Sequence, residues 1–403
     1  MIKRISYLNQ LSELKDLNVI KVISGIRRSG KSTLLSQFRE KLVEDGVPKK
    51  NIFAYNLEDK TNQHFTQDPD ALHDEILSKI VPGEMNYVFI DEVQNIPEFE
   101  KTIDSLFIRE NIDLYITGSN AYITSSELGT LLSGRYIEIK MQPLVFSEFI
   151  QFFPNEMPRE KLFELFLKYG GFPEVANFLA AHAETQIPVY LSGIYETILE
   201  KDIKQHFKID DLTDFRRVVK YLFDSIGKPI SSNNISVASA ESPLGEVPRK
   251  RVKAYIDALT DCYIFYDAER YDIRGKQILK TQDKYYAVDL GLTDTVLGRP
   301  TNADYGRKLE NLVFLELKHR YTNVYIGKNY GKEIDFVAKD FNGITTYYQV
   351  SWTTMSQETL EREVSAFKNT GDNYQKILLT MDNFPSNENG IQRINVIDWL
   401  CGK

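Results

Sequence analysis

The sequence predicts an α/β fold that begins with a parallel sheet, and two observations point to that class. Short apolar segments alternate with segments of helical periodicity through the first third of the chain, as expected when helices connect parallel strands. One apolar segment, residues 87–90, is uninterrupted, which is typical of a strand covered on both faces. The predicted strands cover residues 20–24, 51–56, 87–91, 114–117 and 137–141. Ligands of such sheets bind beyond the carboxyl ends of the strands, so residues that follow the strands are candidates for function.

Length and composition indicate a multidomain cytoplasmic protein. At 403 residues the chain exceeds the roughly 250 to 300 residues that a single hydrophobic core reaches. Two cysteines are too few for a disulfide framework or a cysteine zinc site, which fits a reducing compartment. No apolar run approaches the roughly 20 residues that cross a membrane, so we expect a soluble protein with no membrane partner. The net charge of −8 argues against nonspecific coating of nucleic acid but allows a local basic patch.

A glycine-rich loop follows the first predicted strand and precedes apolar residues at helical spacing. Such a loop aims its backbone amides at phosphate oxygens, and the following helix adds the positive end of its dipole. In this pattern Lys31 reaches the β and γ phosphates, Ser32 holds Mg²⁺ and Thr33 lies near the α phosphate. A chance match is the alternative. The pattern predicts binding of ATP and Mg²⁺ by Gly25, Ile26, Arg27, Arg28, Ser29, Gly30, Lys31, Ser32 and Thr33.

An acidic pair, Asp91 and Glu92, ends the third predicted strand. Downstream of a phosphate-binding loop, such a pair is typical of a site that holds magnesium and activates water. We expect Asp91 to hold Mg²⁺ through water and Glu92 to act as the general base. A strand followed by an acidic turn is the alternative interpretation.

Three further residues are candidates for catalysis at the same sheet edge. Ser119 and Asn120 follow the fourth predicted strand, where they could hold the nucleophilic water or sense the γ phosphate. Both residue types are also common turn formers, which is the competing interpretation. Arg135 immediately precedes the fifth predicted strand and could neutralise charge that develops on the γ phosphate. A surface salt bridge is the alternative for Arg135, and Arg27 and Arg28 compete for the same role.

The ordered motifs extend beyond the loop and the acidic pair. They lie at residues 25–32, 90–94, 116–120, 132–135, 143–149 and 170–174. Together they resemble a prokaryotic family of AAA-type ATPases with a C-terminal domain of unknown function, over nearly the whole chain. The resemblance implies ATP hydrolysis by an AAA+-like core at residues 1–150 and a helical lid at residues 151–208. In AAA+ ATPases an arginine at the position of Arg135 acts as a finger, often toward a neighbouring subunit, so a homo-oligomer is a candidate assembly.

Residues 209–298 are predicted to form a winged helix-turn-helix, because three helical segments precede two short strands, at residues 263–267 and 285–288. The third helical segment, residues 248–259, carries four cations that could contact DNA phosphates. They are Arg249, Lys250, Arg251 and Lys253. A protein-contact module with a solvated basic face is the alternative.

The last predicted domain, residues 299–403, resembles the restriction-endonuclease-like fold. Glu310 on a predicted helix and Asp335 on a predicted strand match two magnesium ligands of that fold, which implies a site for phosphodiester cleavage. Where the fold carries Glu-x-Lys, residues 349–351 read Gln-Val-Ser, and serine cannot supply the charge of the lysine. Lys332 or Lys339 could replace it. We expect a domain that is impaired in cleavage but binds nucleic acid or a partner.

Three functional hypotheses follow from these patterns. The leading one is an ATP-hydrolysing switch that acts on DNA or a protein partner through its downstream domains. The second is an ATP-regulated DNA nuclease with Mg²⁺ at Glu310 and Asp335. The third is a nucleotide-gated scaffold without hydrolysis, against which the presence of Lys31 and Glu92 counts.

Overall fold

The computed structural model describes residues 2–119, 132, 134–154, 157–207, 209–298 and 305–402. These residues fall into two compact units. The first unit comprises Met1–Pro143 and Asp261–Tyr263, and the second comprises Leu144–Thr260 and Ile264–Lys403. Among the described residues, no helix combines the length and the apolar character needed to span a membrane.

The first unit alternates helices and strands. Its described helices are α1 (Ile5–Leu14), α2 (Lys31–Glu44), α3 (Pro69–Lys79) and α4 (Phe99–Phe107). Its strands are β1 (Ile20–Ser24), β2 (Ile52–Asn56), β3 (Asn86–Asp91), β4 (Ile112–Gly118) and β5 (Tyr136–Lys140).

The five strands form a sheet in the order β2-β3-β4-β1-β5, and every neighbouring pair is parallel. The prediction of a parallel sheet is confirmed, and the strand bounds agree with the predicted ones to within two residues. Register places Ser24 opposite Gly118 and Asn56 opposite Asp91. The carboxyl ends of β1, β2, β3 and β4 therefore lie along one edge, where the phosphate-binding loop begins.

Strand β3 is buried on both faces, as its uninterrupted apolar sequence predicts. Val88 and Ile90 pack into an apolar cluster with residues of α3 and α4, whereas Tyr87 and Phe89 pack with residues of α1 and α2. The period of two that alternates side chains across a strand explains this division. Each fully buried aliphatic side chain contributes on the order of 2 kcal/mol, so the two layers hold the sheet edge in a fixed position.

The second unit begins with helices and continues into a long sheet. Its described α-helices are α5 (Phe146–Phe149), α6 (Arg159–Tyr169), α7 (Pro173–Ala180), α8 (Ile187–Thr197), α9 (Lys204–His206), α10 (Leu212–Asp224), α11 (Ser232–Ala240), α12 (Arg249–Asp261), α13 (Leu290–Leu297), α14 (Tyr305–Arg320), α15 (Gln357–Ala366) and α16 (Val396–Leu400). A π-helix, Ile198–Ile203, links α8 to α9. The strands are β6 (Pro229–Ile230), β7 (Phe265–Asp272), β8 (Gln277–Ala287), β9 (Asn323–Asn329), β10 (Lys332–Lys339), β11 (Thr345–Ser351), β12 (Gln375–Thr380), β13 (Ser386–Glu388) and β14 (Ile391–Asn395).

These nine strands form one mixed sheet in the order β13-β14-β12-β11-β10-β9-β7-β8-β6. Strands β7 and β8 form an antiparallel hairpin, and β7 also pairs in parallel with β9, with Arg270 opposite Ile326. Strands from either side of residue 299 therefore share one sheet. Strand β8 is longer than the predicted segment 285–288, and β13 and β14 were not predicted, because polar residues dominate their sequences.

Two consecutive glycines meet a buried carboxylate in the second unit. The backbone N–H of Gly171 donates to Oδ2 of Asp289 at 2.6 Å, and the N–H groups of Gly291 and Leu292 donate to Oδ1 at the start of α13. A Cβ atom added to Gly170 would lie 2.1 Å from the Asp289 carboxylate, so only glycine fits there. Burial raises the pKa of Asp289 to about 6, although the backbone hydrogen bonds act in the opposite direction.

Candidate functional site

The loop between β1 and α2 has a backbone that requires glycine at two positions. Gly25 has φ of 142°, and a Cβ atom there would lie 2.1 Å from the carbonyl oxygen of Met141. Gly30 has φ of 103° immediately before Lys31, where α2 begins. Left-handed backbone is costly for residues with a side chain, so the glycines of the motif are explained by geometry as well as by phosphate approach.

The side chain of Lys31 folds back over this loop. Its Nζ donates to the carbonyl oxygens of Gly25 at 2.9 Å and Ile26 at 3.2 Å, and the residue is 4% exposed. The hydroxyl of Ser29 is buried and has no hydrogen-bond partner among the described residues. A buried ammonium and an unpaired hydroxyl within one turn of backbone amides form a donor-rich pocket that suits phosphate oxygens.

The acidic pair lies at the carboxyl end of β3, on the same sheet edge as the loop. The carboxylate of Asp91 accepts a short hydrogen bond from the hydroxyl of Thr117 on β4. The same hydroxyl accepts from the backbone N–H of Glu92 at 2.9 Å. Glu92 itself has φ of 58°, which is uncommon for a residue other than glycine and costs on the order of 1 kcal/mol or more. Thr117 thus fixes the position of the Asp91 carboxylate and of the Glu92 backbone.

A chain of hydrogen bonds joins Glu92 to the phosphate-binding loop. The amide nitrogen of Gln94 donates to Oε2 of Glu92 at 2.5 Å and to the hydroxyl of Ser119 at 3.4 Å. Arg27 donates to that hydroxyl at 3.3 Å and forms an ion pair with Glu58 at 2.9 Å. The structure thereby brings together three residues that the sequence singled out, Arg27, Glu92 and Ser119. Gln94 and Glu58 were missed, although residues 90–94 had been noted as a motif.

Arg4 is a third residue that sequence reasoning missed. It is buried, and its guanidinium donates to the carbonyl oxygen of Ser29 in the loop at 3.4 Å. It also donates to the carbonyl oxygens of Gln142 at 3.1 Å and Pro143 at 3.3 Å. No local pattern could reveal this contact, because the bonded residues are up to 139 positions away in the chain.

The remaining candidates of the first unit lie outside this network. Arg135 forms a close ion pair with Asp104 and its guanidinium lies 5.9 Å from the ring centroid of Phe107. The side chain of Arg135 is 46% exposed. Arg28 is exposed, with φ of 68°. Asn120 lies outside the described residues.

The residues of the loop fit a nucleotide with its magnesium ion. Ser32 presents an exposed hydroxyl at the start of α2, and Asp91 presents a carboxylate at the same sheet edge. Hydroxyl and carboxylate oxygens are the protein ligands that Mg²⁺ takes when phosphates and water complete its shell. Ser32 and Asp91 are therefore the residues that would hold the ion.

The carboxylates proposed for the last domain are already engaged by other side chains. Glu310 accepts from Nζ of Lys284 at 3.0 Å and from the hydroxyl of Tyr286 at 2.6 Å. Lys284 is buried and also contacts Glu333 at 2.7 Å. The negative charges of these glutamates and Asp335 raise the pKa of Lys284 although burial acts to lower it. The lysine among the carboxylates thus comes from β8.

Asp335 is held by backbone groups of the neighbouring strand. Its Oδ2 accepts from the N–H of Val350 at 2.8 Å, and its own N–H donates to Oε1 of Gln349 at 3.2 Å. Desolvation raises the pKa of Asp335 well above its usual range, and the charge of Glu310 adds to the effect. Among the described residues, no group of three or more His, Cys, Asp or Glu side chains is arranged to hold a metal ion.

Lys332 and Lys339 were suggested as substitutes for the lysine of the Glu-x-Lys pattern, and they lie at the two ends of β10. Lys332 is exposed, and Nζ of Lys339 lies 3.9 Å from the ring centroid of Tyr271. Ser351 donates its hydroxyl to the carbonyl oxygen of Thr353 at 3.0 Å.

Two family models match parts of the chain. Residues 17–150 match a family model described as an AAA domain, so this part of the chain is similar to AAA domains. Residues 160–303 match a model described as a domain of unknown function, DUF8612.

Relatives extend this match over the whole chain. An uncharacterized protein of Haemophilus influenzae is 39% identical over 407 aligned residues, which cover 99% of this chain and 98% of that protein. The chain belongs to the same family as that Haemophilus protein. The uncharacterized protein MJ1544 of Methanocaldococcus jannaschii is 27% identical, with 98% of this chain and 89% of that protein covered.

Solved structures with some similarity include the ORC1 protein of Aeropyrum pernix in complex with DNA and AMPPCP-bound DnaA from Aquifex aeolicus. The first has a TM-score of 0.33 and 13% identity, and the match covers 73% of this chain and 92% of that chain. The second has a TM-score of 0.33 and 14% identity, with 64% and 87% covered. Similarity at this level has no bearing on the function of the present chain.

Proposed function

We propose that this protein binds Mg²⁺ and ATP at the loop from Gly25 to Thr33 and hydrolyses the nucleotide. The observation that carries the proposal is the hydrogen-bonded path from the loop to Glu92 along one edge of a parallel sheet. The match of residues 17–150 to an AAA domain supports it. The path links the glycine-rich loop to a carboxylate, which supports Glu92 as the proposed general base.

In this mechanism the backbone amides of the loop and Lys31 bind the phosphates. Ser32 and Asp91 would hold Mg²⁺, which would supply charge neutralisation to the phosphates. Glu92 accepts the proton of a water molecule whose oxygen attacks the γ phosphorus. The bond from that phosphorus to the bridging oxygen breaks, and ADP leaves with the bond's electrons. Ser119, and Asn120 beyond it in the chain, are proposed to orient the water.

Hydrolysis is tested with two substitutions and a matched control. Lys31→Ala should abolish binding of a fluorescent ATP analogue, because the loop loses its only buried ammonium among the described residues. Glu92→Gln should bind the analogue normally but lower kcat about 100-fold or more, since general base catalysis contributes on the order of 10² to 10⁴. Lys41→Ala removes an exposed lysine of the same helix and should change neither quantity. Unchanged phosphate release in Lys31→Ala and Glu92→Gln would rule out the ATPase assignment.

We further propose that nucleotide state acts as a switch on the downstream part of the chain. Arg4 joins Ser29 in the loop to Gln142 and Pro143, the residues that immediately precede the second unit at Leu144. A shift of the loop on ATP binding therefore reaches the segment that enters that unit. Hydrogen exchange of residues 144–180 tests this: Glu92→Gln should change its exchange with ATP, and Lys31→Ala should not. Equal exchange with and without ATP in Glu92→Gln would exclude the switch.

The proposed domain division keeps an AAA+-like core at residues 1–150, a helical lid at 151–208, a winged helix at 209–298 and a restriction-endonuclease-like domain at 299–403. The succession α10, α11, α12 and the hairpin β7–β8 supports the winged helix. DNA is the proposed target of these last two domains. Nuclease activity is not proposed, because Lys284, Tyr286 and backbone N–H groups engage Glu310 and Asp335.

A further inference from the structure

Two hairpin turns lie side by side at one end of the long sheet in the second unit. One joins β7 to β8 at residues 273–276, and the other joins β9 to β10 at residues 330–331. Because β7 and β9 are parallel neighbours, with Asp272 opposite Lys328, both turns project from the same end of the sheet. The N–H of Ile273 donates to the carbonyl oxygen of Lys328 at 3.2 Å and ties the turns together. We call residues 273–276 and 328–332 the paired-turn surface.

Four exposed cations lie on this surface. They are Arg274, Lys276, Lys328 and Lys332, and none has an ion-pair partner among the described residues. The carboxylate of Asp272, at the end of β7, accepts the backbone N–H groups of Arg274 at 3.1 Å and Gly275 at 3.2 Å. Glu333 is engaged by Arg270 and Lys284. In a chain with net charge −8, an unneutralised group of four cations marks a contact for a polyanion.

The aromatic ring of Tyr330 lies beside these cations. Tyr330 is 61% exposed and has φ of 48°, and the guanidinium carbon of Arg274 lies 3.3 Å from its ring centroid. The turn is anchored, because the buried side chain of Asn329 donates to the carbonyl oxygens of Ala366 at 3.0 Å and Lys368 at 2.8 Å. A fixed, exposed ring flanked by cations matches the surfaces that bind single-stranded nucleic acid, where bases stack and phosphates pair with cations.

Helix α12, the basic segment indicated by the sequence, is less suited to this role. Arg251 forms an ion pair with Asp214 at 2.9 Å, and Lys253 forms one with Asp257 at 2.7 Å. Half of its four cations are therefore neutralised within the protein.

We propose that the paired-turn surface binds a nucleic-acid strand, with its four cations on the phosphates and Tyr330 stacked on a base. The inference rests on the proposed function in one respect, the choice of DNA as the target. It does not depend on ATP binding, because the paired-turn surface lies wholly in the second unit. Recognition through phosphates and stacking predicts little dependence on base sequence.

Binding of fluorescein-labelled 30-nucleotide DNA, single-stranded and duplex, to the full chain tests the proposal by anisotropy at several salt concentrations. Joint replacement R274Q/K276Q/K328Q/K332Q should weaken single-strand binding at least tenfold and reduce the slope of log affinity against log salt by about 3, at about 0.7 per lost phosphate contact. The control K161Q/K168Q/K201Q/K220Q removes the same charge at exposed lysines elsewhere in the second unit and should stay within twofold. Tyr330→Ala should weaken binding about tenfold, whereas Tyr330→Phe should not.

Several outcomes would overturn the proposal. They are undetectable binding by the wild-type chain, equal loss in the four-residue control, or an unchanged affinity in the paired-turn variant. Tighter binding of duplex than of single strand, with no effect of Tyr330→Ala, would overturn the stacking assignment. Each measurement is repeated in Lys31→Ala without nucleotide, where the DNA affinity should match that of wild type. Failure of the ATPase proposal and failure of this inference are thereby distinguished.

Discussion

The side-chain amide of Gln94 donates a hydrogen bond to Oε2 of Glu92 at 2.5 Å. Glu92 is buried and has a left-handed backbone conformation. Both features limit the directions in which its carboxylate can point toward water or nucleotide. Gln94 also reaches the hydroxyl of Ser119, which Arg27 contacts from the loop. Gln94 is therefore a positioning residue for the proposed base.

Replacement of Gln94 tests that role. Gln94→Ala should lower kcat for ATP about tenfold with little change in KM, because only orientation of the base is lost. Gln94→Glu replaces the hydrogen-bond donor with a like charge beside Glu92, so kcat should fall at least as far as in Gln94→Ala. Steady-state phosphate release at several ATP concentrations measures kcat and KM. A wild-type kcat in both variants would exclude the role.

Gly25 offers a test of the loop geometry. Gly25→Ala should destabilise the protein by at least about 2 kcal/mol and abolish nucleotide binding, because its Cβ would lie 2.1 Å from the Met141 carbonyl oxygen. Gly46→Ala is the matched control, since Gly46 also has positive φ but open space around it. It should cost about 1 kcal/mol from backbone strain alone and leave nucleotide binding intact. Urea unfolding measures the stability of each variant, and fluorescent nucleotide titration measures its binding. Equal destabilisation by Gly25→Ala and Gly46→Ala would contradict the predicted clash.

We propose that Arg135 acts on the γ phosphate, and a mixing experiment distinguishes action on a neighbouring subunit from action within one chain. Its exposure permits such a contact, and its ion pair with Asp104 restrains it. Arg135→Ala should lower kcat at least tenfold while nucleotide affinity stays within about twofold. Mixing this variant with Lys31→Ala should restore part of the activity, because one mixed contact then holds an intact loop and an intact arginine. Asp104→Ala controls for the ion pair, and the absence of recovery on mixing would argue for action within one chain or for a salt bridge alone.

The buried Asp289 should make stability depend on pH. Its pKa is about 6 when folded and near 3.8 when unfolded, so the folded state holds its proton to higher pH. Ionisation therefore costs the folded state more, and the stability contribution falls as pH rises from about 4 to above 6. Relative to Asp289→Asn, which mimics the protonated form, wild type should lose about 1.4 kcal/mol between pH 5 and pH 7.5. Urea unfolding of both proteins at pH 5 and pH 7.5 measures this loss. A wild-type stability that rises with pH relative to that of Asp289→Asn would contradict the prediction.

Lys284 should be a large contributor to stability in the second unit. Lys284→Met leaves Glu310 without its buried counterion and Glu333 with Arg270 alone, and should destabilise by about 3 to 5 kcal/mol. Adding Glu310→Gln should recover part of that loss. Lys276→Met, at an exposed lysine with no ion pair among the described residues, should stay within about 0.5 kcal/mol of wild type. A Lys284→Met protein as stable as this control would exclude the counterion role.

The sequence predicted those parts of the fold whose signal is local. Helix α14 was predicted at residues 305–321 and spans Tyr305–Arg320, and the hydrophobic pattern of residues 87–91 predicted a buried β3. In contrast, β13 and β14 escaped prediction because they are short, polar strands that exist only by pairing with strands already in place.

For the candidate site, the residues within each motif could be identified from the sequence. The residues that form hydrogen bonds and ion pairs with them could not. Gly25 and Lys31 are recognisable because the loop and its helix are contiguous in the chain. Glu58 and Arg4 reach the loop from distant segments, and nothing near either residue in sequence distinguishes it from an ordinary surface charge.

The sequence by itself determined the class of the protein: a glycine loop, an acidic pair and alternating apolar segments, each a pattern set by local backbone geometry. Only the tertiary structure decided that Lys284 lies among the carboxylates of the last domain, and that one sheet joins β7 to β9. The physical reason is that strand order and register bring distant residues together, and periodicity along the chain carries no information about which strands become neighbours.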